Sequence, residues 1–240
     1  MRSPQLRDVV ARRIGTSILK GEYLPGQSLP HEIAASEELS ISRTVYRDAM
    51  RTLGALGLID TRKKAGTRVC PRSDWNLLHP TVLHWMIEDQ PQPEFLEALF
   101  EVRRVIEPAA AAMAAERRGE EHVTRLRSAI AVMRRRALDS PPYQAADREF
   151  HEAILDATGN ELLQRLGSIV LASLDYVATY KREQHIPRDP AIEHEALLVA
   201  IAGRDPGAAR EIMERHNQLG HQDTLSGLKD QADWTLSRTG

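Results

Sequence analysis

The chain has 240 residues, with 32 Lys+Arg against 34 Asp+Glu and a formal net charge of −2. A composition of 42% apolar and 28% charged residues excludes a disordered chain, and the absence of any run of about 18 apolar residues excludes a transmembrane helix. The single cysteine, Cys70, excludes an intramolecular disulfide and a thiolate zinc cluster and fits a reducing, cytoplasmic setting; the start has no apolar h-region, so no secretory leader is expected.

The charge is unevenly spread. Residues 1–72 hold 13 Lys/Arg and 7 Asp/Glu, a net of +6, whereas the remaining 19 Lys/Arg and 27 Asp/Glu give residues 73–240 a net of −8. A basic first third joined to an acidic remainder suggests two domains with different partners.

In chain order, Leu6, Val9, Val10, Ile14, Ser17 and Ile18 share one face of a helix over about 4–20, closed by Gly21 and Pro25-Gly26. A short helix follows over about 30–39. Ser42 is a good N-cap for a third helix, about 43–56, which Gly57 stops. Residues 58–62 and 67–69 alternate like two short strands around a tip at Lys63-Lys64-Ala65-Gly66. Three helices followed by a basic hairpin is the winged helix-turn-helix pattern. On the third helix Val45, Ala49, Thr52, Leu53 and Leu56 form the expected inner face, while Arg43, Arg47 and Arg51 recur at i, i+4, i+8 on the outer one.

Residues 73–92 read as a linker with one short helix, about 80–88. Helices are then expected at about 94–117, 120–138, 142–157, 160–182, 190–203 and 206–228, with no strand after Val69. The fold class is therefore mainly α: an N-terminal winged helix-turn-helix over 1–72 and a C-terminal all-α bundle over 93–230.

Three bundle helices each place a histidine in an apolar stripe. Asp147, Phe150, His151 and Ile154 follow i, i+3, i+4, i+7; His194 precedes Leu197, Leu198 and Ile201; His216 follows Ala209 and Ile212. Burying an aspartate and three imidazoles without partners costs roughly 1–3 kcal/mol per group. One divalent ion satisfies all four, and imidazole with carboxylate suits zinc first, with nickel, manganese or iron as the other candidates. Arg103 shares a face with Leu96, Leu99, Phe100 and Glu107, either as a snorkelling stem or as a guanidinium aimed at an anionic ligand. The competing class is a metal-dependent hydrolase or lyase. No His-Glu-x-x-His motif supports it, and Glu152 and Glu195, next to two of the histidines, point about 100° away from them.

Residues 6–70 resemble the GntR-type winged-helix domain. The likeness rests on Gly21-Glu22-Tyr23-Leu24-Pro25-Gly26, Leu29-Pro30-His31-Glu32, Ser42-Arg43-Thr44-Val45-Tyr46-Arg47-Asp48-Ala49-Met50-Arg51 and Gly66-Thr67-Arg68-Val69. The remainder resembles the FCD ligand-sensing domain of the FadR subfamily, through Glu101-Val102-Arg103, Glu107-Pro108, Asp147, Phe150-His151, Thr158-Gly159-Asn160, Glu193-His194 and His216. The stretch from Asp74 to Trp85 looks like the linker of sugar-acid regulators of this family.

The resemblance implies a homodimeric, DNA-binding transcription regulator, not an enzyme, with Arg43, Thr44 and Arg47 as recognition-helix contacts and Gly66 at the wing tip. It implies Asp147, His151, His194 and His216 as metal ligands and Arg103 near a small carboxylate or sugar-acid effector. Arg51, Arg62, Lys63, Lys64, Thr67 and Arg68 are then expected along the backbone of a palindromic double-stranded operator.

Overall fold

The computed structural model describes residues 5–62, 66–88, 92–184 and 190–238. The chain falls into two units, Met1–Asp89 and Gln90–Gly240.

In the first unit, α1 (Leu6–Leu19) turns Val10, Ala11, Gly15, Ile18 and Leu19 inward. The expected face through Leu6 and Val9 is rolled aside, and both remain about half exposed. The cause is Trp85, whose ring lies on Gly15. A Cβ added there would meet two ring carbons at 2.4 and 2.7 Å, so the helix offers its smallest residue to the largest side chain of the core.

After α2 (Glu32–Glu38), the Ser42 hydroxyl caps α3 (Arg43–Ala55) by accepting from the Val45 N–H at 3.2 Å. The face that α3 buries is Tyr46, Ala49, Met50 and Leu53, about one position away from the expected one. Tyr46 goes inside because its hydroxyl can donate to the Pro30 carbonyl (3.2 Å), while Thr52 turns its hydroxyl back to the Asp48 carbonyl (3.2 Å) and Val45 packs at the edge.

Gly57, at φ +74°, ends this helix, and a Cβ there would stand 2.2 Å from the Asp74 carbonyl oxygen. Strands β1 (Ile59–Arg62) and β2 (Gly66–Val69) pair antiparallel, with Ile59 opposite Val69 and Arg62 opposite Gly66. Residues 26–29 lie along the other side of β2: Gly26 N–H donates to the Val69 carbonyl, Val69 N–H to Gln27 and Leu29 N–H to Thr67.

The stretch expected as a linker joins this same core. The Trp75 indole N–H donates to the Cys70 carbonyl (3.0 Å) under the Arg72 guanidinium, and α4 (Pro80–Ile87) places Val82 and Trp85 beside Leu53 and Ile18 in one cluster. Arg12 on α1 pairs with Glu88 at 2.7 Å. Gly15→Ala is therefore expected to lower the unfolding midpoint in urea. Overpacking against the indole costs about 1–3 kcal/mol and outweighs the roughly 1 kcal/mol gained in helix propensity.

The second unit is built on α5 (Pro93–Arg117), which packs against α7 (Pro141–Ala157), α8 (Glu161–Gln184), α9 (Ala191–Ala202) and α10 (Pro206–Arg238). Its Ala110, Ala111, Ala114 and Ala115 are all buried, and these small side chains let neighbouring helices approach closely around Leu126, Phe150, Ile154, Leu197 and Met213. α6 (Glu120–Met133) covers α7 and α9.

Two bounds differ from expectation. α6 stops at Met133 rather than near 138, because Arg134-Arg135-Arg136 brings three like charges and no apolar anchor. The Ser140 hydroxyl then donates to the Ala137 carbonyl and accepts from the Tyr143 N–H to open α7. α10 runs to Arg238, past 228, because isolated Gly220 and Gly227 lower helix stability without ending a helix. Among the described residues, no helix is long and apolar enough to cross a membrane.

Candidate metal centre and nucleic-acid interface

In the first unit the Ser42 cap fixes where α3 begins and so which residues face out. Arg43, Thr44, Arg47 and Arg51 are all exposed on it. Arg51 differs from the other two arginines in having a charged partner on the same helix, Asp48 at 2.9 Å. Sequence spacing puts Asp48 off the centre of the stripe, yet an i, i+3 step is within reach of a long guanidinium.

On the hairpin, Gly66 has φ +78°, the Thr67 and Thr61 hydroxyls lie 3.2 Å apart across the strands, and Arg68 donates to the Gly26 carbonyl at 3.1 Å. That bond ties the wing to the strand-like segment beside it. Lys63 and Lys64 lie outside the described residues, as does the side chain of Arg62.

In the second unit, α7, α9 and α10 bring His151, His194 and His216 together in the interior. All three are buried, and one ring nitrogen of each lies within 4.8 Å of the others. Asp147, one turn before His151, joins them. Its Oδ1 is 3.2 Å from His194 Nε2 and 3.9 Å from His151 Nε2. Asp147 Oδ1, His151 Nε2 and His194 Nε2 are all buried without a well-formed hydrogen bond. Ligands bound to one ion at about 2.1 Å stand roughly 3.0–3.5 Å apart; the Asp147–His194 pair has that spacing and the other donors stand somewhat wider, so this set could hold a divalent metal by drawing in slightly.

Burial works to raise the Asp147 carboxyl, but its contacts with His194 first, then with His151 and Arg103, hold it down at about 2. Phe150 walls one side with its ring edge-on to His194, centroids 4.7 Å apart.

Arg103 does not snorkel. Its guanidinium is buried, with Nε donating to Glu107 Oε2 (2.6 Å) and Nη2 to Asn217 Oδ1 (3.2 Å), while the Asn217 amide donates back to the Arg103 carbonyl (3.3 Å). Glu107 and Asn217 are the site residues that spacing alone did not single out. Burial works to raise Glu107 too, but Arg103 first and His151 second hold it at about 2. The available signal was the Arg103–Glu107 i, i+4 pair lying on the apolar face of α5 rather than its outer one.

His221, outside that cluster, is partly buried. It stacks on Phe100 (centroids 4.8 Å) and pairs with Glu97 at 2.7 Å, linking α10 to α5.

Residues 6–69 match the bacterial regulatory proteins of the gntR family, and residues 98–219 match the FCD domain. The chain is 36% identical over 209 residues to the galactonate operon transcriptional repressor of Escherichia coli K12, covering 85% of this chain and 90% of that protein. It is 29% identical over 222 residues to the Uxu operon transcriptional regulator of the same organism, covering 86% and 82%. Among solved structures, the regulator Lar of Listeria monocytogenes has the same fold, with a TM-score of 0.65 at 16% identity over 94% of this chain and 99% of that one. These relatives are regulators rather than enzymes. The chain belongs to the GntR family and is a DNA-binding transcriptional regulator with an FCD domain.

Proposed function

We propose that this regulator is a cytoplasmic homodimeric repressor that releases a palindromic operator when a small carboxylate or sugar acid binds in its bundle. Residues 1–72 read DNA, 73–92 connect, and 93–230 sense. In this reading Arg43, Thr44 and Arg47 reach the major groove, with Arg51, Lys63, Lys64, Gly66, Thr67 and Arg68 along the backbone. Asp147, His151, His194 and His216 would hold a divalent ion, zinc first, with nickel, manganese or iron as the other candidates. Once bound, the ion would supply a Lewis-acidic seat for a carboxylate oxygen.

The observation that carries the effector class is the charge of the centre. With neutral imidazoles, Arg103, Glu107 and Asp147 sum to −1 in a buried site. A divalent ion makes that +1, and a monocarboxylate returns it to zero, which is what a low-dielectric interior favours. Of the five N–H donors of Arg103, Glu107 and Asn217 take two, so three remain for an anion. The name of the galactonate operon relative supports trying sugar acids first in that class.

The test is thermal stabilisation by a panel of sugar acids and small carboxylates, with and without chelator. A binding acid held at about 100 times its Kd adds about 2.7 kcal/mol to stability. Chelator should remove that gain, whereas stabilisation indifferent to chelator would refute a metal-assisted site.

A further inference from the structure

Among the described residues the most enclosed carboxylate of the bundle is Glu107, which is not among the candidate ligands. It sits on α5 between two groups, with Oε2 2.6 Å from Arg103 Nε and Oε1 2.7 Å from His151 Nδ1, and neither Glu107 nor His151 is more than 3% exposed. At 2.7 Å the pair is within hydrogen-bond distance, although its angles leave Oε1, like Asp147 Oδ1, without a well-formed hydrogen bond. Glu107 faces the permanently charged Arg103 guanidinium through Oε2 at 2.6 Å, and a carboxylate held in such a pair offers His151 only an acceptor. A close approach to that acceptor calls for an N–H on His151 Nδ1. A neutral imidazole carries one N–H, so the lone pair is left on Nε2, the nitrogen that faces Asp147.

We propose that Glu107 is a positioning residue: it fixes His151 as the Nδ1–H tautomer and thereby aims the Nε2 lone pair at the metal seat. Arg103 and Asn217 brace it from the far side. The Asn217 amide both accepts from and donates to Arg103, so hydrogen bonds join Asn217 of α10, Arg103 and Glu107, and a 2.7 Å contact carries the series on to His151. The inference rests on the metal reading above and adds to it the group that prepares one ligand. Outer partners of this kind hold ring orientation and raise ligand basicity, and their loss typically costs about 10–100-fold in metal affinity.

Glu107→Gln separates this role from simple packing, since it keeps the volume but makes one end of the side chain a donor. If the amide oxygen stays on Arg103, the NH2 faces Nδ1, the proton moves to Nε2 and that nitrogen can no longer ligate. If the amide turns over, its NH2 confronts the Arg103 Nε–H.

The experiment uses the full-length chain at about pH 8, above the usual histidine range. Nitrogen-15 correlation spectra of the metal-free wild type should show His151 protonated at Nδ1; a proton on Nε2 there would overturn the proposal whether or not any variant folds. Competition with a chromophoric zinc chelator should then give Glu107→Gln a zinc affinity about 10–100-fold weaker than wild type. Equal affinities would overturn the positioning role and leave the metal centre standing. A wild type that takes up neither zinc nor nickel would sink the metal reading itself.

Discussion

Replacing His194 with alanine should abolish the effector response while operator affinity in the absence of effector stays within about twofold. His194 lies at the middle of the cluster, 3.2 Å from Asp147 Oδ1, with ring centroids 4.8 Å from His216 and 5.7 Å from His151. Protein zinc sites of four ligands carry about 10–16 kcal/mol of binding free energy, so one ligand accounts for about 3 kcal/mol or more, a loss on the order of 100-fold or greater in affinity. The apo fold should survive the change, because removing an imidazole with poorly satisfied buried nitrogens also removes a desolvation cost that offsets the cavity left against Phe150. Metal content by mass spectrometry, Tm, and effector-driven release of labelled operator DNA give three separate readouts. A His194→Ala protein that binds DNA and still releases it on addition of sugar acid would show that sensing does not pass through this centre.

How much of this was legible in the sequence depends on whether the determining contact is periodic or distant. His151, His194 and His216 stand out because a polar residue at an i, i+3, i+4, i+7 position of an apolar stripe is anomalous within a single helix. No knowledge of the neighbours is needed, and the structure brings all three together. Glu107 obeys the same stripe but follows Arg103 by four residues, and an i, i+4 ion pair is the ordinary decoration of a solvated helix face. Only the packing of α7 and α10 over that face makes it interior. The linker tryptophans were hidden for a similar reason. Nothing near Trp85 in sequence points to Gly15, 70 residues earlier, and that contact rolls α1 away from its most apolar face. Residues 26–29 pair along β2 through backbone groups that leave no side-chain alternation to read.

Operator binding should be steeply salt-dependent, and the three outward arginines of α3 should not contribute equally to it. If each subunit neutralises about four phosphates, a dimer meets about eight, and the slope of log K against log salt is about −7. Between about 50 and 200 mM salt that is a loss on the order of 10⁴ in affinity. Arg43 and Arg47 are exposed on α3. Arg51 holds Asp48 at 2.9 Å and must weaken or share that pair before it can meet a phosphate.

Arg47→Ala removes one contact per subunit. If that contact is to a phosphate, the dimer slope becomes shallower by about 2; if it is to a base edge, about 1–3 kcal/mol of discrimination is lost per half-site while the slope is preserved. Arg51→Ala should change the slope by less than Arg47→Ala does. Fluorescence anisotropy titrations across a salt series, on operator and on scrambled duplex, distinguish these cases. An affinity that barely moves with salt would show that the net +6 of residues 1–72 takes no part in holding DNA. A larger effect from Arg51 than from Arg47 would move the centre of the interface toward the C-terminal end of α3 and require the Asp48 pair to open on binding.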